Sequence, residues 1–564
     1  MLFLRAAFLL GSLGICTLAP GLAVIRRLGW APQERLVGSV GLSLIFVYLS
    51  ALAVHVSGAP TWTCHGLTLA SAGLLWLYRR DVLVLLRDSR CRRILLATVA
   101  LFAWLVLMLL IIRHNTGGSW CCDWFEHYQR SLHFLDRGPK EQVFLNQYLL
   151  PARPPLMNLL AMYAMAIAGR DFAIYQVVCV FLAALLLMPL ALIARLFARR
   201  GAPILLLAGL LALNPAFVEN ATFAWTKIPT AFFCVLAFHL YLAGWRRNDH
   251  TQIGAAFLSC TAAMLVHYSA GPYLLFMSCH YLVMVVLHRT WRQAALAALL
   301  SGLLLSTWLG YAVAVFGWKT TIASTSTVSD SAKLTLSDNL VKIGANILDT
   351  VVPAFVHYGP QLEGDLRMAV PGAIFHAFQN NIVIAMGSAG GLFALAFAAS
   401  ALLARGRGLP RRERVFWLLG LPITFVLGVA SHGTRNNLGL GHICGQTLVY
   451  MGIALVAARL PRTPHALRVL GLHGLAFDAV IGIGTLLYLE SNIEEWTHTW
   501  NWLYKRDNHI DYIGDLAATG AWAWRVLAFI GLIFWFWKIL TGLGLLRRLG
   551  SSRATGPENR LAAS

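Results

Sequence analysis

Apolar residues in this chain come in long, nearly unbroken stretches separated by short charged connections. Lipid offers no hydrogen-bond partner to the backbone, so only helices and closed barrels cross a bilayer, and a helix needs roughly 20 apolar residues to do so. The stretches have that length. They predict spans at about 3–24, 36–56, 62–78, 94–113, 172–194, 202–218, 228–244, 251–266, 271–288, 292–312, 381–404, 413–430, 438–458, 466–489 and 520–544. The expected fold class is an all-α polytopic membrane protein with about fifteen transmembrane helices.

The charges between the stretches then set an orientation, because Arg and Lys beside a span mark its cytoplasmic end. Arg26, Arg27 and Arg35, the run from Arg79 to Arg93, Arg195, Arg199 and Arg200, Arg246 and Arg247, Arg289 and Arg292, the run from Arg405 to Arg414, Arg459, Arg462 and Arg468, and Arg547 with Arg548 fall on every second connection. The other connections hold the acids, from Asp123 to Asp515. Residues 152–168 would break this alternation if they crossed. They are expected to form a helix lying in the outer interface, begun by Pro154 and Pro155 and ended by Gly169; a re-entrant segment or a span with inverted topology downstream is the alternative. Residues 1–24 read as a span rather than a cleaved signal, since their basic residues follow the apolar run.

Composition agrees and excludes other classes. Of 564 residues, 58% are hydrophobic and 12% charged, with mean hydropathy +0.66, more apolar surface than a soluble fold can bury. The net charge of +21 comes from 45 basic and 24 acidic residues. In a soluble protein it would suggest nucleic acid; here it sits in cytoplasmic connections facing membrane lipids, and no nucleic-acid partner is expected. Of ten cysteines, only Cys64, Cys121 and Cys122 fall on the outer side, and nothing in their spacing indicates a bridge. No CxxC, HExxH, P-loop or dinucleotide fingerprint occurs, which argues against an ATP-driven pump.

Candidate chemistry lies in the outer connections. In the loop 114–151, Trp124, Tyr128, Leu132 and Leu135 share one face of a helix expected to ride on the membrane surface, with Asp123 at its start. Asp123 with Glu126 three residues on also has the spacing of a capping box. Glu126, His127 and Tyr128 occupy the same turn. Farther along, Glu219 and Asn220 end an apolar run, where an acid is costly unless it meets water, a cation or a polar substrate. Lys227 opens the next helix with Pro229 in its first turn; a cation at a helix N-terminus suits phosphate, although interfacial snorkelling would place it there too. Arg153, Arg170, Lys140 and Arg435 are further outer cations, and His267 with Tyr268 close the span at 251–266. Segment 314–380 is expected to be an outer loop or lid. Segment 490–518, with Trp496, Trp500, Trp502 and Tyr504, suits either sugar stacking or an interfacial aromatic belt. Asp478 lies within a span, as a proton-coupled transporter would need.

The pieces DWFEHY at 123–128, RPPL at 153–156, RDFAIYQ at 170–176, NPAFVENATFAWTKIPTAFF at 214–233 and HYSAGPYLL at 267–275 resemble, in order and spacing, the GT-C superfamily of integral-membrane glycosyltransferases, which includes the protein O-mannosyltransferases and the lipid A aminoarabinose transferases. The resemblance covers about 94–313. It implies an additional N-terminal helical region at 1–93, a catalytic membrane core at 94–313, an outer loop at 314–380 and C-terminal spans at 381–564. It further implies inverting transfer of a sugar from a polyprenyl-phosphate carrier to a glycan, lipid or protein acceptor on the periplasmic face of a bacterial inner membrane. Asp123 matches the loop acid and takes the role of base. Lys227, Arg153 and Arg170 are the expected phosphate-binding residues, and Glu126, His127, Tyr128, Asn220, His267 and Tyr268 the expected substrate-binding ones. The second acidic role falls to Glu219, out of register, because Lys227 and Ile228 stand where many members place an acid before the proline. A divalent cation between Asp123 and Glu219 stays open, with no dedicated ligand spacing. The alternative is a transporter or flippase of a lipid-linked saccharide.

Overall fold

A computed structural model describes residues 2–113, 123–145, 148–197, 203–324, 334–352, 366–403, 411–430, 445–492 and 510–546. Among these residues every regular element is a helix, and the one β-bridge, Phe144 with Tyr148, is isolated. This is a multi-pass membrane protein. Among the described residues nine helices are long and apolar enough to cross a bilayer, or ten if one bent pair counts as a span.

The expectation of about fifteen spans is not reached by that measure. Its segments fall on helices, but Thr63–Leu77, His250–Val266 and Ser388–Leu403 have 15, 17 and 16 residues, fewer than the roughly 20 a bilayer asks for, and the segment at 438–458 lies partly outside the described residues. The run at 202–218 is broken: Ile204–Ala212 and Pro215–Thr222 meet at 70°. Asn214 makes the elbow. Its Oδ1 accepts the Phe217 amide at 2.8 Å, its Nδ2 donates to the Ala385 carbonyl at 2.9 Å, and Pro215 takes the first helical position. Two hydrogen bonds thus hold a sharp turn within apolar surroundings, and Glu219 and Asn220 ride on the short arm beyond it.

The two helices expected at the membrane surface are inside the protein. The loop helix, Asp123–Asp136, buries Trp124, Phe125 and Leu135 on its apolar side and also Glu126, His127, Arg130 and His133. The Pro-Pro helix, Leu156–Ala168, is only 13 residues long and almost wholly buried, packed against the loop helix and against Pro32–Ser57. The loop helix sinks because its charged side chains neutralise one another. Segment 314–380 is likewise more regular than a loop: Trp318–Ala323, Leu336–Val351 and Leu366–Asn380 are helical. Arg435, Cys121, Cys122 and the aromatic residues 496–504 lie outside the described residues.

Candidate functional site

Four turns of chain converge around the start of the loop helix. Glu126 and Arg130, one helical turn apart, form an ion pair with both side chains fully buried: Nε donates to Oε1 at 2.8 Å, and Nη2 stands 2.7 Å from the same oxygen. Arg130 then donates Nη1 to the Leu150 carbonyl at 2.7 Å and Nη2 to that of Leu149 at 3.1 Å. Its guanidinium carbon lies 4.4 Å from the centre of the Phe144 ring. Arg130 therefore staples the loop helix to the turn that delivers Arg153.

Arg153 follows the single 3-10 turn Leu150–Ala152 in extended conformation, just before the two prolines. Its side chain is about a fifth exposed, with Nε 3.5 Å from Glu126 Oε2 and Nη2 3.7 Å from Asp123 Oδ1. Those distances exceed the 2.7–2.9 Å or so of a good charge-assisted hydrogen bond. The guanidinium also faces the Tyr148 ring at 5.2 Å. It is held by charge and by an aromatic face while its donors stay largely uncommitted.

Lys227 is the first residue of Lys227–Arg247 and is buried. Its Nζ lies 2.8 Å from His267 Nε2 and 4.6 Å from the centre of the Trp225 ring. His267 caps the 3-10 turn that follows it, Tyr268–Ala270, its Nδ1 accepting the Ser269 amide at 3.0 Å. Tyr268 donates to the Pro151 carbonyl at 3.2 Å, which ties this turn to the Arg153 turn.

The electrostatics bind these turns into one site. Burial raises the Asp123 carboxyl above the ordinary carboxylate range; Arg153 and Lys227 pull it down and Glu126 pushes it up, and the net shift is upward. Glu126 goes the other way. Burial would raise it, but Arg153 and Arg130 hold it at about 2. Two carboxylates one turn apart are thus driven in opposite directions, a common sign of divided acid–base roles.

Asp123, Glu126, Arg153, Lys227, His267 and Tyr268 are brought together. Other expected site residues are not. His127 is buried with Nδ1 3.1 Å from Asn158 Oδ1 and, pushed by burial to about 3, is neutral and turned into the protein. Tyr128 donates to the Arg170 carbonyl at 2.7 Å and packs on Phe172 and Tyr175. Arg170 pairs with Asp136 at the surface, and Lys140 lies 3.8 Å from Glu141. Both cations stand apart because each has an acid of its own. Glu219 lies within electrostatic reach of Tyr450 on Gln446–Arg459. Asn220 donates back to Ala216 on its own helix at 2.7 Å.

Asp478 has a structural task, since its Oδ2 accepts the Ser388 amide at 2.9 Å at the start of Ser388–Leu403. Cys64 is a buried free thiol. Among the described residues no group of three or more His, Cys, Asp or Glu side chains is arranged for a metal ion. Sequence reading missed Arg130, Tyr148 and Trp225. The i, i+4 spacing of Glu126 and Arg130 was the available signal for the first; nothing in the linear pattern marked the other two. No protein-family model, curated protein or solved structure matches the chain.

Proposed function

We propose that the protein is a membrane glycosyltransferase of GT-C type, moving a sugar from a polyprenyl-phosphate carrier to an acceptor hydroxyl at the outer face of the membrane. The observation that carries this reading is the convergence of a part-exposed carboxylate, Asp123, with two aromatic-backed cations, Arg153 and Lys227, from positions far apart in sequence. Asp123 takes the acceptor's proton while the acceptor oxygen forms a bond to the anomeric carbon. The bond from that carbon to the phosphate oxygen breaks with inversion, and its electron pair leaves on the lipid phosphate. Arg153 and Lys227 stabilise that departing charge in a site with little water. Glu126 and Arg130 position Arg153 rather than react.

Purified protein given a short-chain prenyl-phosphate sugar tests the scheme. Transfer is expected to be lost in Asp123→Asn and Lys227→Ala with folding intact. Wild-type rates in both variants would overturn it. Movement of the lipid-linked sugar across vesicles without any covalent product would favour the flippase reading instead.

A further inference from the structure

The elbow helix, Pro215–Thr222, carries a second polar environment of a different kind. Phe217 meets the Tyr450 ring edge-on at 5.8 Å, which sets Gln446–Arg459 against it. The elbow helix also packs on Leu366–Asn380, and Asn214 binds the Ala385 carbonyl of the following short helix, Ile382–Ala385. The residues these elements bring together are polar and almost completely buried: Asn220, Gln379, Asn380 and Asn381 are each 2% exposed, Gln446 3% and Tyr450 0%. On all six, side-chain atoms lack a hydrogen-bond partner: Asn220 Oδ1, Gln379 Oε1, both polar atoms of Asn380, Asn381 Nδ2, Gln446 Oε1 and the Tyr450 hydroxyl. Native proteins leave few buried polar atoms unpaired, and a cluster of them asks for an explanation.

Two of these groups have fixed sense. Asn381 Oδ1 accepts the Val383 and Ile384 amides, so its free Nδ2 is a donor. Asn220 Nδ2 donates to the Ala216 carbonyl, so its free Oδ1 is an acceptor. A cation would be met by acceptors alone, and a phosphate by donors and positive charge. A mixture of neutral donors and acceptors matches hydroxyl groups, which do both.

We infer that the polar shell around the elbow helix, formed by Asn220, Asn380, Asn381, Gln446 and Tyr450, is a binding site for an uncharged polyhydroxyl ring, a glycosyl group. The inference rests on the glycosyl-transfer reading for the origin of that ring, and it adds the place where the ring is held. The charged cluster takes the phosphate and the neutral shell takes the sugar.

The test uses the full chain in lipid nanodiscs, with thermal unfolding followed by tryptophan fluorescence in the presence of methyl glycosides of glucose, galactose, mannose and N-acetylglucosamine. At least one glycoside is expected to raise the wild-type midpoint. In Tyr450→Phe, Asn380→Leu and Gln446→Leu that rise is expected to vanish, while the midpoint without glycoside stays equal or increases, because an unpaired buried polar group has been replaced by an apolar one. Absence of any glycoside effect on the wild type, a rise preserved in the variants, or lower midpoints without glycoside would overturn the inference. Asp123→Asn separates it from the transfer reading. A variant that binds glycoside but has lost transfer supports both. Glycoside stabilisation with undiminished transfer in Asp123→Asn sinks the transfer reading alone, and lost transfer without glycoside stabilisation in either protein sinks the binding site alone.

Discussion

Two buried glutamates, at separate places in the chain, show how the same residue type serves different ends. Glu34, in the first turn of Pro32–Ser57, is saturated: Oε1 lies 3.3 Å from His239 Nε2, and Oε2 meets Arg247, Gln252 and the Ala31 amide at 2.5, 3.0 and 3.1 Å. Nothing there is left for a ligand. Glu126 is saturated on one oxygen by Arg130, but its other oxygen and Asp123 share Arg153 at 3.5 and 3.7 Å. One network spends all its hydrogen bonds on the fold, and the other keeps a guanidinium in reserve. Buried charge alone does not mark a site; incompletely matched buried charge does.

The sharpest way to break this comparison is Glu126→Ala. It strands Arg130, whose side chain is fully buried, and is expected to cost about 3–5 kcal/mol of stability, measured by thermal unfolding in nanodiscs. Next comes Asp123→Asn. Transfer should fall by about 10²–10⁴-fold with little change in unfolding; a large stability loss with full activity would make Asp123 another Glu34. The pH dependence carries the same information. In the proposed scheme Asp123 acts deprotonated, and burial raises its carboxyl, so activity is expected to decline with acid on a limb lying above the ordinary aspartate value of about 3.9. Arg153→Ala should lower kcat/KM by about 10²–10³-fold, as expected for a lost charge-stabilising donor.

Smaller effects mark the other region. Glu34→Ala is expected to cost about 1–3 kcal/mol without touching transfer, less than Glu126→Ala because the Arg247 side chain is 49% exposed and can turn to water. Arg170→Ala should be smallest, within about 1 kcal/mol and with wild-type turnover, since its pair with Asp136 is at the surface. Strong loss of transfer in Arg170→Ala would restore it to the site.

Much of the helical layout was legible in the hydropathy. Lys227–Arg247, Trp291–Phe316 and Ala518–Gly542 lie close to where the apolar runs at 228–244, 292–312 and 520–544 predict them. The elbow after Ala212 was not legible, because Asn214 reads as one polar residue in an apolar run until Ala385 supplies its second partner. Site residues divided the same way. Asp123, Arg153 and Lys227 were visible as charges on a face rich in acids. His127, Tyr128 and Arg170 were not separable from them, since a linear pattern does not say which side of a helix faces a cavity and which faces Asn158 or Asp136.

By itself the sequence determined that this chain lives in a membrane as helices, because apolar length and the backbone's need for internal hydrogen bonds leave few other outcomes. It also placed the charges that chemistry would need. The tertiary structure alone decided that the loop helix sinks into the protein rather than riding on lipid, since the Glu126–Arg130 pair, the Leu149 and Leu150 carbonyls, Arg153 and Asn158 make its polar side tolerable inside. It alone joined the loop helix, the Arg153 turn and the Tyr268 turn into one charged cluster. Hydropathy is summed along the chain, whereas the pairing of buried polar groups is settled between segments that meet only in three dimensions.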